Sequence, residues 1–489
     1  MKLPKPVTLA AVALAGLCTL LDAPKLRHAL RDDQTLFLLG AEVIRDGGVL
    51  YRDFWDIKPP GIFLLYLAGG RLFGFTDVGI RVMELVILAG FAVLAFLWLR
   101  SGIGARAAWL GALLLIPYYN SIGNESDLGT VEGLACLPLA IAAFGLLAPY
   151  SEWRLILAGA SIGVMILLKP FYVLLGAAFW LVFLLTNRTA GRRVRTWAIL
   201  LISATVPIAA TVSWFALRGA LPDLIDAVIR VPYEARYVVN PLDRLWILRS
   251  GFEHVWHGTL ALRLLLIPAA WAAYAKRHDR GMAIALTFLV TWIAAGTIAI
   301  LLQLQSWWIY HWLLILPPLA MLAGLGLDWA IDRIVRAAPL QRLIAALVVA
   351  IALWDAKGLA RPFAADLLTP KGAATVNRYR DIRQYEARQV RCAPSDTAFV
   401  WMSPLISRFT NCRLASPIEG DNMVVLPPSI FKRARTDIER SRPLYMYLNR
   451  RDVLREAPLP NFETAMPGVL EQYEEVFRGD LGSWYRLKQ

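Results

Sequence analysis

The residues with the clearest chemical potential lie in one loop near the start of the chain. Asp32 and Asp33 begin a short amphipathic stretch that ends at Gly47-Gly48, and "YRDFWDIKPPG" follows with Lys58 directly before two prolines. A carboxylate can act as a general base on a hydroxyl or an amine, and a cation can stabilise charge that develops on a leaving phosphate. Because both pieces share one loop, the pattern predicts that a carboxylate and Lys58 converge at one surface.

The same residue types also have ordinary structural explanations. Aspartate is a good helix cap, and its charge is favourable at the positive end of the helix dipole. Aromatic residues around Lys58 are typical of a membrane interface, where a lysine extends its ammonium towards the headgroups. The residues alone therefore leave a capping and anchoring role open beside the chemical one.

Three further polar residues are predicted at the same outer level. Glu132, in "NSIGNESDLGTVEGL", lies just inside an apolar run, where an ionisable group is costly and by default functional. His311 lies in the aromatic cluster "SWWIYHWLL", and Lys169 lies in "ILLKPF". A packed histidine and a snorkelling lysine are the structural alternatives for the last two. Together these groups predict a cluster of acids and cations at one membrane face.

The elements that must position these residues are membrane helices. The chain has 489 residues, of which 57% are hydrophobic, and its mean hydropathy is +0.51. Its charged fraction is 18%, below the roughly 25% of soluble domains. The net charge of +14 suits contact with anionic lipid or lipid phosphate. No nucleic-acid-binding motif is found, so a nucleic-acid partner is excluded.

Recurrent apolar runs predict a multi-span membrane protein with an uncleaved first helix. Eleven spans are predicted, at residues 5–22, 78–99, 107–120, 130–148, 154–169, 171–186, 197–217, 259–275, 281–303, 309–328 and 341–357. The apolar segment 60–75 is too short to cross and is expected in the interface. Short basic connectors such as "NRTAGRRVR" and "AKRHDR" place the N-terminus inside, and eleven spans then place the C-terminal end outside.

From about residue 358 the composition turns polar and predicts a small α/β domain. "DTAFVWM", "PLYMYLN" and "SWYRLK" are interpreted as strands, and "PGVLEQYEEVFRG" as a helix. Cys392 and Cys412 lie in this part and could pair if it is exported. Cys18 and Cys136 lie in apolar segments and are interpreted as packing residues.

The motifs resemble those of GT-C membrane glycosyltransferases. Within them, the sequence is most similar to the bacterial family 39 group, which includes relatives of dolichyl-phosphate-mannose–protein mannosyltransferases and lipid A aminoarabinose transferases. That group has an Asp-Glu after the first span, then Gly-Gly, Y-x-D-F/W and D-x-K-P-P. The matching residues here are Asp33-Gln34, Gly47-Gly48, Tyr51-Arg52-Asp53-Phe54 and Asp56-Ile57-Lys58-Pro59-Pro60. Weaker matches are Thr130-Val131-Glu132, Gly159 through Lys169, and His311-Trp312 through Pro317-Pro318.

Two details of the match concern the acids. Counted back from Lys58, Asp33 and not Asp32 takes the place of the family's catalytic acid. Gln34 replaces the usual second acid, and the adjacent Asp32 could compensate.

The resemblance implies a fold and a chemistry. The fold would be an all-α polytopic GT-C bundle of about eleven transmembrane helices over residues 1–357, with interfacial helices at about 33–75, and a periplasmic α/β domain at 358–489. The chemistry would be inverting transfer of a sugar from a polyprenyl-phosphate donor to a lipid, glycan or protein acceptor at the bacterial inner membrane. Some GT-C enzymes use a divalent metal, and no dedicated site for one is found in this sequence.

The resemblance also implies roles for individual residues. Asp33 would be the general base, with Asp32 and Glu132 as further acids. Contacts to the donor phosphate would come from Lys58, Lys169, His311 and Arg244. Arg244 is one of four arginines in the loop 218–258 among which the sequence does not choose; the others are Arg230, Arg236 and Arg249.

Two other classes of function remain possible on the sequence. A non-catalytic GT-C subunit of a cell-envelope polysaccharide system would share the fold, and the replacement by Gln34 favours it slightly. A transporter would place ionisable groups near the bilayer midplane, often in repeated halves. The acids here lie at span ends and no repeat is visible, which favours the enzyme.

Overall fold

The computed structural model describes residues 4–122, 128–147, 151–186, 193–235, 241–303, 307–336, 370–418, 427–449 and 462–489, with a few positions between 338 and 350. The chain divides into two compact units. The first comprises Met1–Arg27, Ile80–Thr211 and Arg244–Gly372. The second comprises His28–Gly79, Val212–Asp243 and Ala373–Gln489. The predicted domain boundary at 357/358 stays a prediction.

The first unit is built from apolar helices. Its helices are α1 (Lys5–Asp22), α4 (Asp77–Leu99), α5 (Ala105–Ile122), α6 (Val131–Leu134), α7 (Cys136–Leu147), α8 (Glu152–Leu168), α9 (Val173–Thr186), α10 (Arg193–Leu217), α13 (Pro241–Gly258), α14 (Leu260–Ala275), α15 (Arg280–Leu301) and α16 (Leu316–Arg336). Helices α4, α10 and α13 each extend by a few residues into the second unit. Short 3₁₀ turns lie at Ala23–Arg27, Pro170–Tyr172 and Ile309–Leu314.

Within the described residues, four helical stretches are long and apolar enough to cross a membrane. They are Lys5–Arg27, Asp77–Leu99, Val194–Leu217 and Arg280–Leu301. A fifth crossing is possible if Leu245–Gly258 and Leu260–Ala275, which are bent by 67° at their junction, form one broken span. The chain is therefore a multi-pass helical membrane protein, while the predicted count of eleven spans is not confirmed.

Helices of the first unit approach each other closely where glycine faces a neighbouring backbone. A Cβ atom on Gly111 of α5 would lie 2.8 Å from the Cα atom of Met321 in α16. A Cβ atom on Gly324 would in turn collide with the backbone of Gly111. Small residues at helix crossings let backbones pack directly, which is the usual route to stable helix pairs in membranes.

Two predicted spans are bounded differently in the structure, and proline explains both. The predicted span 309–328 is a 3₁₀ turn followed by α16, which begins at Leu316. Pro317 and Pro318 lack an N–H group and are tolerated only in the first turn of a helix, so the helix must start just before them. The predicted span 130–148 is divided between α6 and α7, with Pro138 in the first turn of α7. The predicted span 341–357 lies largely outside the described residues.

The second unit combines two helices of the first loop with a chain-terminal α/β domain. Its helices are α2 (Asp32–Arg45), α3 (Pro60–Phe73), α11 (Leu221–Ile225), α12 (Val231–Ala235), α17 (Pro370–Ala387), α18 (Pro404–Phe409), α19 (Pro428–Ser441) and α20 (Phe462–Ala465), with a π-helical turn at Asp226–Arg230 and a 3₁₀ turn at Leu470–Gln472. The strands are β1 (Thr397–Trp401), β2 (Arg413–Leu414), β3 (Tyr445–Asn449), β4 (Tyr473–Arg478) and β5 (Gly482–Leu487).

The five strands form one mixed sheet in the order β2-β1-β3-β5-β4. β1 pairs in parallel with β2 and β3, whereas β5 is antiparallel to both β3 and β4. Buried Val400, Tyr447 and Trp484 belong to the core beside this sheet. The all-α bundle with a small C-terminal α/β domain is thus confirmed as the fold class.

One predicted element of this domain is wrong. "PGVLEQYEEVFRG" is not a helix, because its second half is strand β4. Glu475 lies opposite Tyr485 and Phe477 opposite Trp484 in an antiparallel hairpin. The glutamates favour a helix locally, but pairing with a later strand overrides that preference. The three predicted strands are confirmed at β1, β3 and β5.

The cysteines follow the two groups of the sequence. Cys392 and Cys412 form a disulfide across a sequence separation of 20 residues. Cys18 and Cys136 are free and buried among apolar helices. The disulfide closes the loop that leads from α17 through β1 to β2.

Candidate active site

The predicted acids lie at the start of α2. Asp32 is the first residue of this helix and has a φ of 41°. This is a left-handed backbone conformation that residues other than glycine rarely adopt. Gln34 is buried, and its amide oxygen accepts a hydrogen bond of 3.2 Å from the backbone N–H of Arg31. This bond satisfies one of the backbone donors at the helix start. An amide oxygen serves this contact as well as a carboxylate, which accounts for glutamine at that position.

A tight turn brings the chain from α2 towards Lys58. Gly47 has a φ of +92°, which glycine adopts without strain. The carboxylate of Asp53 then accepts the backbone N–H of Val49 at 2.7 Å. Asp53 is therefore a turn-forming residue in this structure.

Lys58 is held by its own backbone as well as by its side chain. Its N–H donates to Asp56 Oδ1 at 2.9 Å, and its carbonyl accepts the Tyr51 hydroxyl at 2.7 Å. Pro59 and Pro60 follow and start helix α3. Proline fixes its own φ and restricts the preceding residue to an extended conformation. The backbone of Lys58 therefore has little freedom, and its ammonium is aimed by a rigid segment.

The ammonium of Lys58 lies between two carboxylates. Lys58 Nζ is 2.9 Å from Asp33 Oδ1 and 3.4 Å from Asp56 Oδ1. The side chains of Asp33 and Lys58 are 14% and 16% exposed, whereas that of Asp56 is 2% exposed. Asp33 and Lys58 thus keep a small exposed fraction, while Asp56 is a buried partner.

Burial and charge act on the two partners of this site in opposite ways. Burial raises the pKa of Asp56 although the nearby Lys58 ammonium counteracts it. Burial alone would lower the pKa of Lys58, but the carboxylates of Asp33 and Asp56 outweigh it and raise that pKa. The lysine is consequently held as a cation throughout the physiological pH range.

Two of the four described non-glycine residues with a positive φ adjoin this pair. Asp32 precedes Asp33 directly, and Tyr51, which bonds the carbonyl of Lys58, has a φ of 71°. Residues held in sparsely populated backbone conformations cost about 1–3 kcal/mol each and cluster at functional sites. The sequence analysis assigned Tyr51 and Asp56 no role of their own. Their signal was their place in the Y-x-D-F motif before Lys58 and in the D-x-K-P-P motif that contains it.

Asp32 has a different environment from Asp33. Its side chain is half-buried, and burial raises its pKa while the guanidinium groups of Arg31 and Arg383 counteract the rise. Lys58 pairs with Asp33 and not with Asp32. The structure thus separates the two adjacent acids, and the catalytic role of Asp33 stays a prediction.

The first unit contains a second polar cluster made from three predicted residues. Glu132 is 1% exposed in the short helix α6, and its Oε1 lies 2.5 Å from Lys169 Nζ. His311 Nε2 lies 3.6 Å from the same carboxylate oxygen. Lys169 ends α8, and His311 lies in the 3₁₀ turn before α16. The structure therefore brings these three residues together, and their roles in ligand binding stay predictions.

A further buried network in the first unit was missed by the sequence analysis. Glu84 accepts the Tyr119 hydroxyl at 2.7 Å and pairs with Lys25 at 3.3 Å and with Arg81 at 3.0 Å. The Tyr119 hydroxyl also accepts the backbone N–H of Gly129, three residues before Glu132. The available signal was the charge inside apolar runs, where ionisable groups are usually paired. This network fixes the chain just ahead of α6.

The four arginines predicted in the loop 218–258 are not found in either polar cluster among the described residues. The side chain of Arg244 lies outside the described residues, as does Arg236. Arg230 pairs with Glu234 at 3.0 Å and Arg249 with Glu253 at 2.8 Å, both on exposed helix faces. Within the described part of the chain, no three His, Cys, Asp or Glu side chains converge as metal ligands would.

Comparison with known proteins places this geometry in a fold class. Residues 57–215 match a family model described as dolichyl-phosphate-mannose-protein mannosyltransferase. The solved structure of ArnT from Cupriavidus metallidurans bound to undecaprenyl phosphate is 15% identical with a TM-score of 0.57, covering 98% of this chain and 97% of that one. Archaeoglobus fulgidus oligosaccharyltransferase, tethered to an acceptor peptide containing the NVT sequon, is 14% identical with a TM-score of 0.54. That match covers 99% of this chain and 74% of the archaeal one. No curated protein matches the sequence.

The protein is a multi-pass membrane protein with the GT-C fold. Within that class it resembles the mannosyltransferases and ArnT, as the motifs predicted.

Proposed function

We propose that this protein is a membrane glycosyltransferase that transfers a sugar from a polyprenyl-phosphate donor to an acceptor. The observation that carries the proposal is the accessible pair of Asp33 and Lys58, 2.9 Å apart on a strained and rigid segment. The mannosyltransferase match and the fold shared with ArnT, whose structure holds undecaprenyl phosphate, support it. A polyprenyl donor keeps its tail in lipid and offers its phosphate at the surface.

In the proposed reaction Asp33 acts on the acceptor. Its carboxylate takes the proton from an acceptor hydroxyl or amine as that atom attacks the anomeric carbon of the sugar. The new bond joins the acceptor oxygen or nitrogen to this carbon, and the bond from the carbon to the phosphate oxygen breaks. Attack opposite to the leaving phosphate inverts the anomeric centre.

Lys58 acts on the leaving group in this scheme. The negative charge that leaves with the polyprenyl phosphate grows next to a fixed ammonium, and such preorganised charge is worth most where water is scarce. Asp56 remains to balance the lysine when Asp33 turns to the acceptor. One cation paired with two acids thus lets Asp33 act while Lys58 stays in place.

The proposal also covers the location of the reaction. The basic connectors predict the N-terminus inside the bacterial inner membrane, with the first loop and the C-terminal domain in the periplasm. A disulfide between Cys392 and Cys412 supports this side, because such bonds persist in the periplasm and not in the cytosol. The acceptor class stays open between lipid, glycan and protein.

The test is transfer by the purified protein. Reconstituted protein is incubated with radiolabelled polyprenyl-phosphate sugars and with candidate acceptors of each class, and labelled product is measured. An enzyme gives product with at least one donor and acceptor pair and releases polyprenyl phosphate. A non-catalytic subunit binds donor without release, and a transporter moves label across the vesicle membrane without forming product. Either of the last two outcomes would overturn the proposal.

A further inference from the structure

The segment that follows α10 has one face whose apolar side chains are largely exposed. It runs through Leu221–Ile225, Asp226–Arg230 and Val231–Ala235 as one nearly continuous helical stretch. Leu224, Val231 and Ala235 are buried along one side. Ile225, Ile229 and Tyr233 follow each other at intervals of four residues on another side and are 47%, 63% and 59% exposed. Residues four apart lie on one helix face, so they form a continuous exposed stripe, here called the Ile225–Tyr233 stripe.

The charged side of this segment is fixed to the C-terminal domain. Asp226 pairs with Arg433 of α19 at 2.6 Å, and Glu234 accepts the hydroxyl of Ser429 at 3.1 Å. The helical stretch is therefore held along two sides, by its buried residues and by these polar contacts. The Ile225–Tyr233 stripe is therefore exposed on a helical stretch whose position is fixed.

The chain reaches this segment directly from a membrane-crossing helix. α10 is apolar and long enough to cross, and its last residue, Leu217, is 88% exposed. Gly219 has a φ of +67°, and the N–H of Ala220 bonds the carbonyl of Phe215 at 2.9 Å, which ends the helix sharply. The stripe thus begins soon after the end of an apolar helix that is long enough to cross a membrane.

We propose that the Ile225–Tyr233 stripe lies in the headgroup–acyl boundary of the bilayer. Residues 221–235 are too few to cross as a helix, since about 20 residues are needed, but an apolar stripe beside charged residues suits a helix that lies in the membrane surface. Tyr233 has the amphipathic ring favoured at that depth. Arg230, whose side chain is 69% exposed and pairs with Glu234 at 3.0 Å, stands next to the stripe and gives it a charged border.

A second copy of this chain fits the stripe less well. Three partly exposed side chains offer far less than the roughly 1,200–2,000 Å² of total area that a stable protein interface buries. The bilayer needs no such area from one helix, because the adjoining span already anchors the chain. The inference is independent of the proposed catalytic reaction and depends only on insertion in a membrane.

Spin labels at single cysteines test the proposal on the full-length protein. The chain has four cysteines, two buried and two joined in a disulfide, so an added surface cysteine is labelled selectively. The variants are Ile225→Cys and Ile229→Cys, in vesicles of phosphatidylcholine with one quarter phosphatidylglycerol. Val476→Cys is the matched control, an apolar residue 45% exposed on strand β4. Accessibility to oxygen and to a water-soluble nickel chelate is measured by electron paramagnetic resonance.

The expected result is high oxygen and low nickel accessibility at residues 225 and 229, at a depth of about 5–10 Å below the phosphates. Val476→Cys should instead be open to the nickel chelate. Nickel accessibility at 225 and 229 equal to that at 476 would overturn the proposal, because the stripe would then face water. Spin–spin broadening at 225 or 229 that disappears on dilution with unlabelled protein would overturn it in favour of a second copy.

Discussion

Replacing Lys58 by alanine should weaken use of the donor and leave use of the acceptor nearly unchanged. Lys58 Nζ lies 2.9 Å from Asp33 and 3.4 Å from Asp56, and the backbone of the residue is held by Asp56 and by Tyr51. Because the segment is rigid, the ammonium is held in one place beside the two carboxylates. A charge-assisted hydrogen bond to phosphate is worth about 1.5–3 kcal/mol, or about tenfold to a hundredfold in kcat/KM for donor.

The same substitution also has a structural consequence that must be separated from the functional one. Without the ammonium, Asp33 and buried Asp56 lose their shared counter-charge. The double variant Lys58→Ala with Asp56→Asn removes this imbalance without restoring a cation for phosphate. Arg52→Ala is a matched control, since Arg52 is a half-exposed cation of the same loop that pairs with Asp53.

Steady-state kinetics with donor and acceptor varied separately distinguish the explanations. We expect the double variant to remain as poor with donor as Lys58→Ala, and Arg52→Ala to resemble the unmodified protein. Lys58→Arg should not restore donor use, because a planar guanidinium does not replace a point charge held in this position. Normal donor dependence in Lys58→Ala, or recovery in the double variant, would refute a phosphate-binding role and leave Lys58 as a structural ion-pair partner.

Three further predictions concern pH, the disulfide and orientation. The pKa of Lys58 is raised above its unfolded value of about 10.4, so its ion pairs stabilise the fold fully below that pH and are lost only as pH rises through the folded pKa. The KM for donor should therefore stay constant from pH 7 to about pH 10. A rise in this KM within that window would contradict the assignment. Changing Cys392 and Cys412 to alanine should cost the C-terminal domain about 3 kcal/mol in the loop-entropy account, measured by chemical unfolding with and without reductant; equal stability would argue against the bond. Reporter fusions at residue 365 and at the chain end should be active only for periplasmic reporters, and cytoplasmic activity at either point would revise the predicted topology.

Local patterns predicted those elements whose own composition is typical of one kind of secondary structure. The strands β1, β3 and β5 follow from short apolar and aromatic runs, and the apolar helices follow from hydropathy. The loop from Asp33 to Lys58 was predictable because its glycines allow a tight turn and its prolines restrict the backbone. Lys58 Nζ and Asp33 Oδ1 lie 2.9 Å apart, and their residues are separated by only 25 positions in the sequence.

The missed features depend on partners that sequence does not reveal. β4 has the composition of a helix and becomes a strand through its pairing with β5. Glu84 lies in an apolar helix, and besides the nearby Arg81 its partners are Lys25 and Tyr119, which come from other segments. Tyr51 acts through a hydroxyl that reaches the carbonyl of Lys58, a contact that its aromatic motif does not indicate. The contacts of β4 and of Tyr51 are local and those of Glu84 are distant, so a single sequence leaves open which neighbouring groups pair as well as which distant ones do.

The most direct test of the central claim is sugar transfer by Asp33→Asn. This substitution keeps the size of the side chain, and Lys58 would retain Asp56 as a partner, so the protein should stay folded and inserted. Loss of a general base should lower the transfer rate by about 10²–10⁴-fold. Asp32→Asn is the matched control from the adjacent position and should be milder, because Lys58 pairs with Asp33 while the charges that act on Asp32 are those of Arg31 and Arg383. Transfer that survives in Asp33→Asn, or that is lost equally or more severely in Asp32→Asn, would contradict the assignment of Asp33 as the base.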